Sequence, residues 1–215
     1  MREEEDTNST ERHSWEWIGE GQSKEDIEKR YDGWAESYDR DMVEHRRYRL
    51  PAFVGDLFIK YVKNHEVRIL DAGAGTGLSG EYLSRNGYHN ICGIDISEEM
   101  LDEARRKEVY HRLDRMVLGE TLDFPDNYFD AVLSVGAIGT APAESFDELI
   151  RVTKSSGFIV FSLTTDYYDL PRFRRKMPSL EETGKWKLVE KTDPIVGLPG
   201  ESPDIYQYGF VYQVL

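Results

Sequence analysis

Val67-Arg68-Ile69-Leu70-Asp71-Ala72-Gly73-Ala74-Gly75-Thr76-Gly77-Leu78-Ser79-Gly80 decides the fold. The apolar run Val67 to Leu70 has the length of a buried strand and is too short for a helix, and it stops at an acid and a series of small residues. Gly73, Gly75 and Gly77 recur at every second position, so the backbone there can adopt positive φ and lie against a ligand. From Leu78 onward Tyr82 and Leu83 resume helical spacing, so the loop opens a helix whose first N–H groups face the same point. A strand, a glycine loop and a helix in that order predict a binding turn for a small ligand.

Two ligand classes fit the turn. Gly75-x-Gly77-x-x-Gly80 satisfies a dinucleotide pattern, and Asp95 follows at the distance of a ribose-binding acid. Against a dinucleotide, Asp71 to Ala74 separate the strand from that pattern, and the Asp71 carboxylate would repel a pyrophosphate while attracting a cation. Asn90 to Ile96 reads as a second strand ending at Asp95, and Ser97-Glu98-Glu99-Met100 as the cap and acidic first turn of a helix. A carboxylate in that place can accept from both hydroxyls of a ribose.

The 215 residues fit one domain with a terminal extension. A net charge of −14 argues against nucleic acid and anionic membranes as partners, since Arg46-Arg47-Arg49 and Arg172 to Lys176 are the only basic clusters. Cys92 is the single cysteine, which rules out an intrachain disulfide and a cysteine zinc site and leaves no metal-ligand set to propose. No signal-length apolar segment is seen, so a soluble cytoplasmic protein is expected.

Residues 1–22 are expected to form an acidic disordered tail whose Trp15 and Trp17 could dock on a cleft. Residues 23–64 are expected to form a helical lid. Ser23 and Asp26 make a capping-box variant, and Ile27, Tyr31, Trp34, Ala35 and Tyr38 fall on one helical stripe, followed by a helix entered at Pro51. Residues 65–215 are expected to be the ligand-binding domain. A third strand is expected over Asp114–Gly119, a fourth over Ala131–Ile138, a fifth over Phe158–Leu163, a helix around Tyr168–Thr183 broken by Pro171 and Pro178, and a closing strand pair at Trp186–Glu190 and Ile205–Val214. Alternating strands and helices imply an α/β, doubly wound, mostly parallel seven-stranded sheet with an antiparallel edge strand, its ligand outside the strand ends at the switch point. The loop Asp193 to Asp204, rich in proline and glycine, is a further candidate for function.

The Asp71-Ala-Gly-Ala-Gly-Thr-Gly77 order resembles the first motif of class I S-adenosylmethionine-dependent methyltransferases, and residues 31–163 resemble their core. More narrowly, Tyr31 to Asp39, Tyr48-Arg-Leu-Pro51, Val135-Gly-Ala137 and Val152-Thr-Lys154 resemble the methyltransferase-like family named after the Williams–Beuren syndrome region. The resemblance implies a Rossmann-like methyltransferase fold and S-adenosyl-L-methionine as cofactor. It places that cofactor on Tyr31, Tyr38, Asp71, Gly73, Gly75, Gly77, Asp95, Ile96, Met100, Gly119, Glu120, Thr121, Ser134 and Val135. Glu120 and Thr121 stand where the family's adenine contact is usual.

A sulfonium methyl is already activated, so alignment and exclusion of water could supply the rate, with a small-molecule acceptor expected and a protein side chain as the other candidate. No catalytic residue is assigned. His45 and Asp166 are conceivable bases, but His45 between Glu44 and Arg46 reads as a surface residue. A non-catalytic S-adenosylmethionine-binding protein and an NAD-dependent oxidoreductase remain the alternatives.

Overall fold

The computed structural model describes residues 23–201 and 203–215; Trp15 and Trp17 lie outside the described residues. The first helix, α1 (Lys24–Asp39), opens on the expected reciprocal cap, Ser23 Oγ accepting from the Asp26 N–H at 3.1 Å while the Asp26 carboxylate accepts from the Ser23 N–H. It runs on into one π-helical turn, Arg40–His45, and α2 (Leu50–Tyr61) follows with Pro51 in its first turn, where its missing N–H costs nothing. Then come β1 (Ile69–Ala72), α3 (Leu78–Arg85), β2 (Ile91–Asp95), α4 (Glu98–Arg106), β3 (Arg112–Arg115) and β4 (Phe129–Ser134). The chain closes with α5 (Ser145–Val152), β5 (Thr153–Thr164), α6 (Thr165–Asp169), α7 (Pro171–Glu182), β6 (Trp186–Lys191), β7 (Ile195–Val196) and β8 (Tyr206–Val214).

The strands form one sheet in the order β3-β2-β1-β4-β5-β8-β6, with the two-residue β7 also paired to β8. β1 to β5 are parallel, whereas β8 runs antiparallel to β5, β6 and β7. Strand order reverses between β1 and β4, the switch point of a doubly wound sheet, so a crevice is expected beyond Ala72, Asp95 and Ser134. Alternate residues of β5 and β8 feed the two faces: Ile159, Phe161, Phe210 and Tyr212 join one core with Phe146 and Trp186, and Val160 and Val211 the other with Val54, Phe58 and Tyr88.

Several boundaries differ from expectation, each for a local reason. β3 ends at Arg115, before the Val117 carbonyl accepts from the Glu120 N–H in a turn that uses positive φ at Gly119. β4 stops at Ser134, because Gly136 turns the chain with φ 72°. β5 starts at Thr153, ahead of the expected Phe158, so Lys154 to Gly157 belong to the strand. Leu170 takes the extended conformation demanded by Pro171 and divides α6 from α7, while Pro178 is accommodated inside α7.

The lid helix is fastened to the core along one polar stripe. Lys24 pairs with Glu120 at 2.7 Å, Glu28 with Arg115 Nε at 2.9 Å, Ser97 Oγ donates to Asp32 at 2.6 Å, and Asp39 accepts from Thr76 Oγ1 and pairs with Lys107. The turn after the lid is braced by the Asp193–Asp204 loop: Arg46 pairs with Glu201, the Gly200 N–H donates to the Arg46 carbonyl at 3.0 Å, and the Arg49 N–H donates to Gly197 at 2.9 Å. Among the described residues no helix is long and apolar enough to cross a membrane.

At the far end of the sheet Trp186 is fully buried, stacked on Tyr212 at 4.0 Å, edge-on to Phe146 at 4.9 Å and donating to the Met177 carbonyl. Trp186→Ala is expected to cost about 3–5 kcal/mol of unfolding free energy, measured by urea titration.

Candidate functional site

Beyond the strand ends lies a cavity of about 360 Å³. Its floor is the loop after β1 and its roof is α1 with the turn that follows, Ile27, Tyr31, Trp34, Tyr38 and Met42 lining it. The α1 residues among these lie on a face adjoining the Lys24, Glu28, Asp32 and Asp39 stripe, so one helix carries both the clasp and the ceiling. Trp34 stands at its centre, edge-on to Tyr38 at 4.6 Å and near-parallel to Tyr31 at 6.5 Å. Asp41 fixes the indole, its Oδ2 accepting from Trp34 Nε1 at 2.8 Å and from Ser37 Oγ at 3.0 Å, and the Trp34 bond leads in holding that carboxyl below its ordinary pKa. The Arg46 guanidinium caps the ring from outside at 4.6 Å.

The glycines divide into two roles. Gly73, at φ 85°, passes so near Ala137 that a Cβ would lie 2.2 Å from the Ala137 Cβ, whereas a Cβ on Gly75, at φ 53°, would meet nothing within 4 Å. Gly73 is therefore required by packing and Gly75 by access to the cavity, which both line. Asp95 ties this loop to the second strand. Its Oδ2 accepts from the Gly75 N–H at 2.8 Å and its Oδ1 from the Ser97 N–H at 3.0 Å. Burial pushes the Asp95 carboxyl up, and the backbone donors Ser97, Gly75 and Ile96 pull it back.

Asp71 is wholly buried at the end of β1. Its Oδ2 accepts from Tyr110 Oη at 2.6 Å, and its Oδ1 has no hydrogen-bond partner among the described residues. Burial pushes its carboxyl up to about 7, the Tyr110 hydroxyl lowers it, and nearby Asp95 raises it again. Burial likewise pushes the Tyr31 phenol up to about 12 and those of Tyr38 and Tyr48 well upward, so all three keep their protons at neutral pH.

Of the residues expected at the site, Tyr31, Tyr38, Gly73, Gly75, Asp95, Ile96, Met100 and Val135 line the cavity. The others stand elsewhere. Asp71 lies beneath the loop, Gly77 packs against Tyr110 and Ala104, and Ser134 Oγ donates to the Ala72 carbonyl inside the sheet. Gly119 and Thr121 are exposed, and the Glu120 side chain is spent on Lys24, so Val117 and Leu118 form that wall instead. His45 is an exposed partner of Asp41, and neither it nor Asp166 lines the cavity. Sequence reasoning missed Trp34 and Met42 as site residues, although the stripe through Ile27 and Tyr38 continues onto them. It also missed Tyr48, which the sequence marks only as part of the Tyr48–Pro51 motif, and Gly139 to Pro142, Tyr167 and Arg172, which no local pattern marks and only the folded chain assembles.

The chemistry of this donor set suits S-adenosylmethionine. Asp95 at the end of β2 would suit a ribose diol, apolar Ile96, Met100, Val117 and Leu118 would suit a flat base, the glycine cradle is open, and the aromatic faces and the unpartnered Oδ1 of Asp71 beneath the loop would suit positive charge.

Comparison with known proteins agrees. A methyltransferase domain model matches residues 70–161. Methyltransferase-like protein 27 of Homo sapiens is 35% identical over 165 residues, covering 73% of this chain and 66% of that protein. An 18S rRNA (guanine-N(7))-methyltransferase of Bos taurus is 44% identical over 70 residues, covering 33% of this chain and 25% of that protein. The chain thus spans at most about two thirds of the length of these relatives. Among solved folds, a methyltransferase in complex with the Haloferax volcanii Trm112 methyltransferase activator matches with a TM-score of 0.65 at 16% identity, covering 87% of this chain and 97% of that one.

One expectation fails on this evidence. The exclusion of nucleic acid rested on net charge, and a relative that acts on rRNA, with a fold solved beside a protein activator, removes it. Net charge averages over the whole surface, whereas phosphate contact needs only a local patch or a partner that supplies one. The sheet order, the open glycine cradle and the Asp95 tether agree with the matched sequences, and the chain belongs to the class I S-adenosylmethionine-dependent methyltransferases.

Proposed function

We propose that the chain transfers the methyl group of S-adenosylmethionine to a small-molecule acceptor by in-line displacement inside the cavity beneath α1. The observation that carries this reading is the roof: an aromatic helix clasped at Lys24, Glu28, Asp32 and Asp39 covers a space of about 360 Å³. When bound, the cofactor supplies an electrophilic methyl on a positive sulfur. The residues of this chain do the rest. Asp95 accepts from the ribose hydroxyls, the Gly73 to Gly75 backbone follows the cofactor's chain, and the Asp71 charge favours its ammonium. The faces of Tyr31, Trp34 and Tyr38 stabilise positive charge and keep water out, and closure holds the acceptor at attacking distance. Protonated tyrosines cannot serve as bases, so rate comes from alignment and desolvation.

The primary test is calorimetric titration with S-adenosylmethionine, S-adenosylhomocysteine and NAD. The first two are expected to bind and NAD is not; NAD binding alone would overturn the reading. Asp95→Ala should weaken S-adenosylhomocysteine binding about 10- to 100-fold, the loss expected for hydrogen bonds to a charged group, and should also lower the melting temperature, because the Gly75 and Ser97 N–H groups lose their acceptor.

Asp71 makes binding depend on pH. Free in the folded chain it holds its proton up to about pH 7, whereas unfolded it loses it near 3.8, so its contribution to stability is full below that lower value and gone once pH has risen through about 7. A bound ammonium favours the ionised form. S-adenosylhomocysteine affinity should therefore rise with pH up to about 7 and level off, and Asp71→Asn should flatten the profile. Salt screens the exposed clasp pairs, so raising ionic strength should speed S-adenosylhomocysteine release about threefold in stopped flow, and Lys24→Ala with Glu28→Ala should remove that dependence.

A further inference from the structure

The π-helical turn Arg40–His45 brings two charged groups to one ring. Its wide bond runs from the Arg46 N–H to the Asp41 carbonyl at 3.0 Å, so Asp41 and Arg46 stand at the two ends of a single turn. Both reach Trp34. The Asp41 carboxylate accepts from Trp34 Nε1 at 2.8 Å, and the Arg46 guanidinium carbon lies 4.6 Å from the indole centroid. Turns of this kind are rare, and those that occur cluster at functional sites.

Each of the two groups is itself held. Asp41 Oδ2 also accepts from Ser37 Oγ at 3.0 Å, while its Oδ1 faces Arg40 Nε at 3.7 Å and His45 Nδ1 at 3.5 Å. Arg46 pairs with Glu201 and donates to Met42 Sδ at 3.7 Å. Neither Asp41 nor Arg46 lines the cavity, whereas Trp34 does, beside Tyr31 and Tyr38. The indole is therefore fixed from behind and presented to the ligand space in front.

Among aromatic side chains an indole attracts a cation most strongly. An ionised carboxylate accepting its N–H adds to that attraction, because each hydrogen bond polarises the group it joins. The Arg46 charge acts in the opposite sense and is matched by Glu201. A ring so placed distinguishes ligands by their charge. S-adenosylmethionine and S-adenosylhomocysteine have the same nucleoside and the same amino-acid chain, and they differ at sulfur, a methylated cation in the first and a neutral thioether in the second. Asp95 and the glycine loop face parts that the two share, so they cannot tell substrate from product.

Resting on the methyl-transfer reading above, we propose that Trp34 recognises the positive sulfur and that Asp41, acting through the indole N–H, positions it for that task. Trp34 favours the cofactor that still carries its methyl group. Once the methyl has left, the sulfur is neutral and that contribution is gone, so the product is held by the remaining contacts alone. Asp41 is a positioning residue, since it acts on the cofactor only through Trp34.

The test titrates the full chain by calorimetry with S-adenosylmethionine and with S-adenosylhomocysteine and reads the ratio of the two affinities. Trp34→Leu should lower that ratio about 3- to 30-fold, chiefly through S-adenosylmethionine, the range of a cation over an aromatic face. Trp34→Phe should lower it less. Asp41→Ala should lower it about threefold or more, and Asp41→Asn, which retains an acceptor oxygen, should restore part of the loss. In the Trp34→Leu background Asp41→Ala should change the ratio no further. A purely structural role would weaken both ligands equally. An unchanged ratio in Trp34→Leu or in Asp41→Ala, or additive effects of the two, each overturns the proposal while leaving methyl transfer standing. Trp34 is half-buried and belongs to neither core, so its variants should fold; where Trp34→Leu does not, an unchanged ratio in Trp34→Phe is the overturning result. Failure of the wild-type chain to bind either ligand would instead overturn the reading beneath it.

Discussion

The site depends on one carboxylate and two backbone N–H groups. Asp95 holds the glycine loop through Gly75 and the start of α4 through Ser97, so the exits of β1 and β2 share one set of atoms. Ser97 then passes the connection upward: its hydroxyl accepts from Met100 to cap α4 and donates to Asp32 of the lid. Loop, helix terminus and roof are therefore one hydrogen-bonded unit. Low polarity around the buried carboxyl makes each of these bonds stronger than it would be in water, and makes loss of a partner correspondingly costly.

The roof illustrates how one helix serves two requirements. Three to four residues per turn let Lys24, Glu28, Asp32 and Asp39 reach the core while Ile27, Tyr31, Trp34 and Tyr38 face the cavity. Of the bonds on the polar stripe, the Lys24–Glu120 and Glu28–Arg115 pairs are exposed and individually weak, whereas those made by Asp32 and Asp39 are partly buried. The hinge of the roof differs. Arg46 and Glu201 are each mostly shielded from water, and backbone bonds to Gly197 and Gly200 lock the turn that follows the lid.

Much of this was legible in the residues. The glycine loop, the acids at the ends of the first two strands, the aromatic stripe and the cap at Ser23 all depend on short-range patterns with physical periods of two or 3.6 residues. What escaped was set by distance in the sequence. Arg172, Tyr167 and Tyr48 reach the cavity only because β5 and α2 place them there, and no neighbouring residue signals it. Glu120 had the right position in the chain and the wrong partner, since an exposed carboxylate beside Lys24 is captured by the lid. The nucleic-acid inference failed for another reason, in that a sum over charges says nothing about where they lie.

The position of β8 has a consequence for assembly. It follows β6 in the chain yet lies between β6 and β5. β6 is held in the sheet through β8 alone, so it joins with β8 or after it. This long-range closure is the slow kind. The connection between β6 and β8 carries Gly197, Gly200 and Glu201, the same groups that lock the lid's hinge. The outermost strands of the sheet and the anchor of the roof thus share one connection, so whatever disturbs the β6–β8 segment also loosens the turn that follows the roof helix.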